Sequence, residues 1–136
     1  GGTIILSPGT FEHDSEIIIA VPLVLQGAGF ATIIKATSVM DNSIKLEAGA
    51  YWSEVSRLVI DGNGLAGNFT VNAQYVSVHN VKLLGHTSYN LNASGLNFYA
   101  YSSQFEGRGI ALNGYYQEEY NNDFNQDGRS ISAVLY

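Results

Sequence analysis

The chain repeats itself at a nearly fixed interval, and that interval limits what it can fold into. Glycines that close a β-rich run and open a turn stand at Gly62, Gly85, Gly107 and Gly128, separated by 23, 22 and 21 residues. Offset from them, apolar-x-apolar triplets begin at Ile44, Phe69, Tyr89 and Ile110, with another apolar pair at Ile131, and the later steps are again 20, 21 and 21. A unit of about 22 residues holding several short strands and no helix cannot bury an apolar face alone; it does so by stacking on copies of itself. The repeat therefore predicts an all-β fold, a single-stranded right-handed parallel β-helix of about six coils, as one domain over residues 1–136. At ~4.8 Å per coil the rod is roughly 30 Å long.

Strand detail follows from the same logic. Alternate residues of each short run face inward and stack on the next coil, which pairs Phe105 with Phe124 and places Tyr89 and Tyr101 in the core. Asn63, Asn80, Asn92, Asn113 and Asn125 suit tight left-handed corners. The window from Tyr51 to Val59 also carries helical spacing, but alternation resumes at Arg57-Leu58-Val59-Ile60, which favours strands. Leucine-rich repeats share the period without the Leu-x-x-Leu-x-Leu signature seen there, and a β-sandwich does not require a fixed step.

The first half also has a family likeness. Gly1-Gly2-Thr3-Ile4-Ile5-Leu6-Ser7-Pro8-Gly9-Thr10-Phe11, then Pro22-Leu23-Val24-Leu25-Gln26-Gly27-Ala28-Gly29-Phe30-Ala31-Thr32-Ile33-Ile34-Lys35, then Val59-Ile60-Asp61-Gly62-Asn63-Gly64 resemble the opening coils of the pectate-lyase superfamily, including alginate epimerases and phage tailspikes. The resemblance implies the β-helix and a polysaccharide-rich habitat. It supplies no active site: the Asp-Pro-His of the epimerases, the Asp-Asp and Gly-His-Gly of the polygalacturonases and the Asp-His of the pectate lyases have no counterpart here.

Composition narrows the partners. Twelve acids against six scattered bases give a net charge of −6, which argues against nucleic acid or an anionic membrane surface as partner. No apolar run is long enough for a membrane span. Without cysteine, disulfides, thiolate metal sites and thiol catalysis are excluded. With only 13% of residues charged, solubility rests on Asn, Ser, Thr, Gly and Tyr, a surface more typical of an extracellular protein or a virion surface than of the cytosol.

Candidate sites are few. A glycosidase needs two carboxyls a few ångströms apart; Glu106 and Asp127, one coil apart, could meet, but turn positions explain both, and no catalytic residue is assigned. Arg108 and Arg129 could stack in the same way as turn charges. Asp123-Phe124-Asn125-Gln126-Asp127-Gly128 matches the first half of a calcium loop, making Asp123, Asn125 and Asp127 the metal candidates, although Val134 stands where the closing acid belongs. No cofactor is required, and Ca²⁺ is the one candidate. His13, His79 and His86 read as solvated or corner residues. Seven of nine tyrosines lie in the last third, and Tyr99, Tyr115, Tyr116 and Tyr120 are the candidates for stacking on sugar faces.

The chain begins and ends in strand-like segments, which predicts stacking on copies of itself, end to end or laterally. The reading favoured by the sequence is a non-catalytic extracellular structural module that assembles into a fibre or spike and contacts polysaccharide through its tyrosines. A polysaccharide lyase, hydrolase or epimerase, and a tailspike-like receptor-binding segment, are the alternatives.

Overall fold

A computed structural model describes residues 1–125 and the strand Ile131–Ala133. Its eighteen strands, numbered along the chain, form three six-stranded parallel sheets. The first sheet stacks β1 (Gly2–Ile5), β4 (Leu23–Gln26), β7 (Glu54–Ser56), β10 (Ser77–His79), β13 (Tyr99–Tyr101) and β16 (Glu118–Tyr120). The second stacks β2 (Gly9–His13), β5 (Thr32–Ala36), β8 (Val59–Asp61), β11 (Lys82–Leu84), β14 (Gln104–Glu106) and β17 (Asp123–Asn125). The third stacks β3 (Ile17–Ile19), β6 (Met40–Leu46), β9 (Ala66–Val71), β12 (Tyr89–Ala93), β15 (Ile110–Leu112) and β18 (Ile131–Ala133). Every third strand pairs, as expected of a chain that winds once per three strands, and this is the predicted right-handed parallel β-helix.

The core is a set of columns, one residue per coil. In the second sheet Phe11, Ile34, Ile60, Leu83, Phe105 and Phe124 are in register, at steps of 23, 26, 23, 22 and 19 residues. Phe105 and Phe124 stack with ring centroids 4.8 Å apart, as the spacing predicted. Leu25, Val55, Val78 and Ala100 fill the matching column of the first sheet. The segment after Tyr51 is strand rather than helix; only a short 3₁₀ turn, Ala48–Ala50, precedes it.

Corners are built from residues with positive φ. Arg57, Asn80, Ser102 and Asn121 turn the chain from the first sheet to the second, and Trp52, Tyr75, Asn97 and Tyr116 turn it from the third to the first, all with φ between 52° and 63°. The hydrogen-bond ladder continues through them: the N–H of Trp52 donates to the Gln74 carbonyl at 3.1 Å and that of Tyr75 to the Leu96 carbonyl at 2.9 Å. Left-handed geometry costs a side-chain-bearing residue roughly 1–2 kcal/mol, so three bulky aromatics at one corner are an anomaly. Glycine serves where space is also short. At Gly85, with φ 73°, an added Cβ would lie 2.7 Å from the backbone nitrogen of Asn63.

Three expectations need correction. Asn92 and Asn125 lie within strands, and Asn113 is not left-handed; Asn97 and Asn121 hold corners instead. The reason is side-chain bonding along the stack: Asn113 Nδ2 donates to Asn92 Oδ1 at 3.1 Å. Tyr89 is exposed and Tyr101 half-buried, because Leu91 and Ala100 occupy the inward positions of their strands. The triplet ladder slips as well: Leu91, not Tyr89, is in register with Ile110, and on the other side of β12 the pairing with β9 shifts register between Tyr89 and Asn92.

Candidate functional site

Two surfaces stand out, a polar groove on the third sheet and an aromatic flank along the first. The groove arises where the pairing of β6, β9 and β12 is irregular, with register shifts between Asn42 and Lys45 and between Tyr89 and Asn92. It encloses about 620 Å³. Gly67 keeps the floor open to close backbone approach, since a Cβ there would lie 2.5 Å from the Asp41 carbonyl. Neighbouring amides are locked: Glu16 Oε1 accepts from the Asn42 backbone N–H at 2.7 Å and from its Nδ2 at 2.9 Å, the Thr70 hydroxyl donates to Asn42 Oδ1, and Asn68 Oδ1 accepts from the Tyr89 N–H at 3.1 Å. Among the described residues no side-chain bond engages the Asp41 carboxylate or the Thr87 and Ser88 hydroxyls, all exposed in the groove.

Beneath the groove lies a buried polar relay. His86 is 3% exposed, with Nδ1 3.0 Å from Asn90 Oδ1 and Nε2 2.8 Å from Ser43 Oγ. Asn90 spends its amide N–H groups on the carbonyls of Glu106 at 2.8 Å and Arg108 at 2.6 Å. That orientation leaves Oδ1 toward the ring, assigns the proton to Nδ1 and leaves Nε2 to accept from Ser43. Desolvation lowers the His86 pKa to about 4, opposed by the Asn90 bond, the Asp61 charge and the Leu84 backbone. Serine, histidine and amide are in the order of a nucleophilic relay, yet Ser43 is wholly buried, so no substrate carbon reaches its oxygen. The relay is a polar core plug that fixes the groove floor, because the single Ser43 proton, donated to His86 Nε2, is shared with the Asn68 carbonyl 3.3 Å away.

The aromatic flank gathers all four candidate tyrosines: Tyr99 and Tyr120 on the first sheet, Tyr115 and Tyr116 at the corner beside it. The sequence reading missed their companions. Trp52 and Tyr75 stack with centroids 4.4 Å apart and planes 7° apart, while His79, Tyr101 and Tyr120 form a ladder at 4.7 and 5.1 Å. Within the ladder ring faces cover one another, so Tyr120 gives one face to Tyr101 rather than offering both to a ligand. His79 Nε2 meets Glu54 Oε1 at 2.7 Å. Burial, with lesser contributions from Tyr120 and Glu54, raises the Tyr101 phenol above its ordinary pKa. The 23-residue step from Trp52 to Tyr75 matches the glycine ladder and was the available signal.

Several other candidates fall partly outside the described residues. Asp123 and Asn125 flank inward-facing Phe124 on β17, and Asp127 lies outside the described residues, as do Gly128, Arg129 and Val134. Among the described residues no group of three or more His, Cys, Asp or Glu side chains converges to hold a metal. Glu106 pairs with Lys82 at 2.9 Å. His79 sits on the first sheet and His86 in the interior, so they share no face. No helix among the described residues is long and apolar enough to cross a membrane.

No protein-family model and no curated protein matches this chain. Among solved structures it is similar to two forms of the catalytic domain of GH87 alpha-1,3-glucanase, D1069A and D1045A, each in complex with nigerose. Each matches with a TM-score of 0.69 and 19% identity over 97% of this chain. The chain spans 26% of the length of those solved chains. The likeness is one of fold: both are parallel β-helices.

Proposed function

We propose that this chain is a carbohydrate-binding β-helix module, extracellular and non-catalytic in itself, whose groove on the third sheet receives a neutral glycan. The observation that supports this most is the pairing of locked amides with open groups: Asn42, Asn68 and Thr70 are held by their neighbours, while Asp41, Thr87 and Ser88 present unengaged oxygens. Such a wall can exchange donors and acceptors with sugar hydroxyls without demanding a charge. The solved structures of similar fold were obtained with nigerose, which makes α-1,3-linked glucose oligomers the first probe.

Titration calorimetry with such oligomers is the test. Replacing Thr87 and Ser88 together by alanine is expected to weaken binding about tenfold, as two lost hydrogen bonds would, and to leave the melting temperature in place because both side chains are exposed. Failure of the wild type to bind any neutral glucan would overturn the reading. The reading also includes self-assembly of copies, end to end or laterally, which light scattering tests, a dilute monomer being the adverse result.

A hydrolase is the second reading, favoured by the similarity to a catalytic domain and by the Asp41 carboxylate in the groove. Hydrolysis needs a second carboxyl roughly 5–10 Å away. The reading predicts reducing ends released from α-1,3-glucan by the wild type and none by Asp41→Asn; an unchanged rate in that variant would discard Asp41 as the acid or base.

A further inference from the structure

The geometry points to a second carbohydrate-contacting surface, separate from the groove, on the corner formed by Trp52, Tyr75 and Tyr116. Trp52 is 67% exposed and Tyr116 78%, so neither side chain is there chiefly for core burial, yet each occupies a left-handed position that disfavours bulky side chains. The same corner one coil beyond Tyr75 carries Asn97, a residue such a backbone accepts readily. Three aromatics held against backbone preference, in solvent, suggest a use outside folding.

The chemistry of the corner selects the occupant. Its paired positions are Tyr51 and Trp52, Gln74 and Tyr75, Leu96 and Asn97, Tyr115 and Tyr116, with no charged side chain among them. Without cations the strip does not favour polyanions. Outside the faces that Trp52 and Tyr75 share, the exposed indole and phenol surfaces of Trp52 and Tyr116 pack against the C–H groups of a pyranose, and the Gln74 and Asn97 amides and the phenol hydroxyls suit its hydroxyls. The repeat of about 4.8 Å between coils is close to the length of one sugar residue, so a glycan lying along the rod passes one corner per residue, meeting the outer edges of the stacked Trp52 and Tyr75 rings, then Asn97 and Tyr116. The Trp52 and Tyr75 rings, stacked at 4.4 Å, are preorganised and have little rotamer freedom left to lose on binding. This inference goes beyond the groove reading, because the corner lies where the third sheet passes to the first and none of its residues lines the groove, so either can fail alone.

Trp52 is the sole tryptophan, so its emission reports this corner alone. Titration of cellohexaose and of an α-1,3-linked glucose hexamer, into wild type and into the Thr87→Ala, Ser88→Ala groove variant, is expected to shift Trp52 emission saturably and equally in both. In the groove-variant background, Trp52→Gly is expected to lower calorimetric affinity at least tenfold while the melting temperature changes by only a few degrees, since glycine relieves the left-handed strain as the ring stack is lost. Unchanged emission with both hexamers would overturn the proposal. So would undiminished affinity in the glycine variant, or an emission shift that follows protein concentration with a doubling of mass, which would make the corner an interface between copies.

Discussion

Lowering the pH from 7 to 4 is expected to remove about 3 kcal/mol of folding stability through His86 alone. In the unfolded chain this imidazole titrates near 6.5, whereas in the core its pKa is about 4, chiefly because burial penalises the charged form. The folded state therefore prefers the neutral ring. Above about pH 6.5 neither state is protonated and stability is complete. As the pH falls through 6.5 the unfolded state gains a proton that the folded state refuses, so stability drains away until the folded form also titrates near 4. A separation of ~2.5 units at 1.36 kcal/mol each sets the ceiling, just over 3 kcal/mol. Urea unfolding at pH 7, 5.5 and 4 on wild type and His86→Gln measures it. The variant starts lower, having lost part of the relay, but lacks this acid-dependent component, and the gap between the two narrows as the pH falls. A gap that stays constant would mean that His86 is solvated, and the relay of Ser43, His86 and Asn90 would lose its physical basis.

The two halves of the structure were legible to different degrees. The coil was readable because stacking demands repetition: a residue that fills the same site each turn must recur at the length of the turn, and Leu83, Phe105 and Phe124 do so at 22 and 19 residues. Tyr89 shows where periodicity fails. A bulge changes the register without changing the pattern, and nothing in Tyr89-Asn90-Leu91 announces that Leu91 is the residue facing in. The relay was not readable at all, since Ser43 and His86 lie 43 residues apart and meet only because β6 and the turn before β12 share an interior corner. The aromatic flank was half legible. Tyrosine counting found Tyr99, Tyr115, Tyr116 and Tyr120, but Trp52 and Tyr75 stand earlier in the chain and become visible only when positions are compared coil by coil.

Phe105→Ala is expected to cost 3–5 kcal/mol, the usual range for emptying a buried phenylalanine site. Phe105 is fully buried, stacked on Phe124 and in register with Leu83. Typical domains hold only 5–15 kcal/mol in total, so this one ring decides whether the later coils stay folded. In a solenoid each coil touches only its neighbours, so the loss is local first. Backbone amides of β16 and β17 should exchange with solvent well before those of β7 and β8, which remain bracketed by intact coils. Phe124→Ala should cost less, because that ring is only half-buried. Phe105→Leu should recover most of the loss, since it restores apolar volume without the ring. Chemical denaturation combined with hydrogen exchange separates these outcomes. Uniform exchange across all coils in Phe105→Ala would show that the rod melts as one cooperative block, and the columns would then have to be coupled over more than one coil.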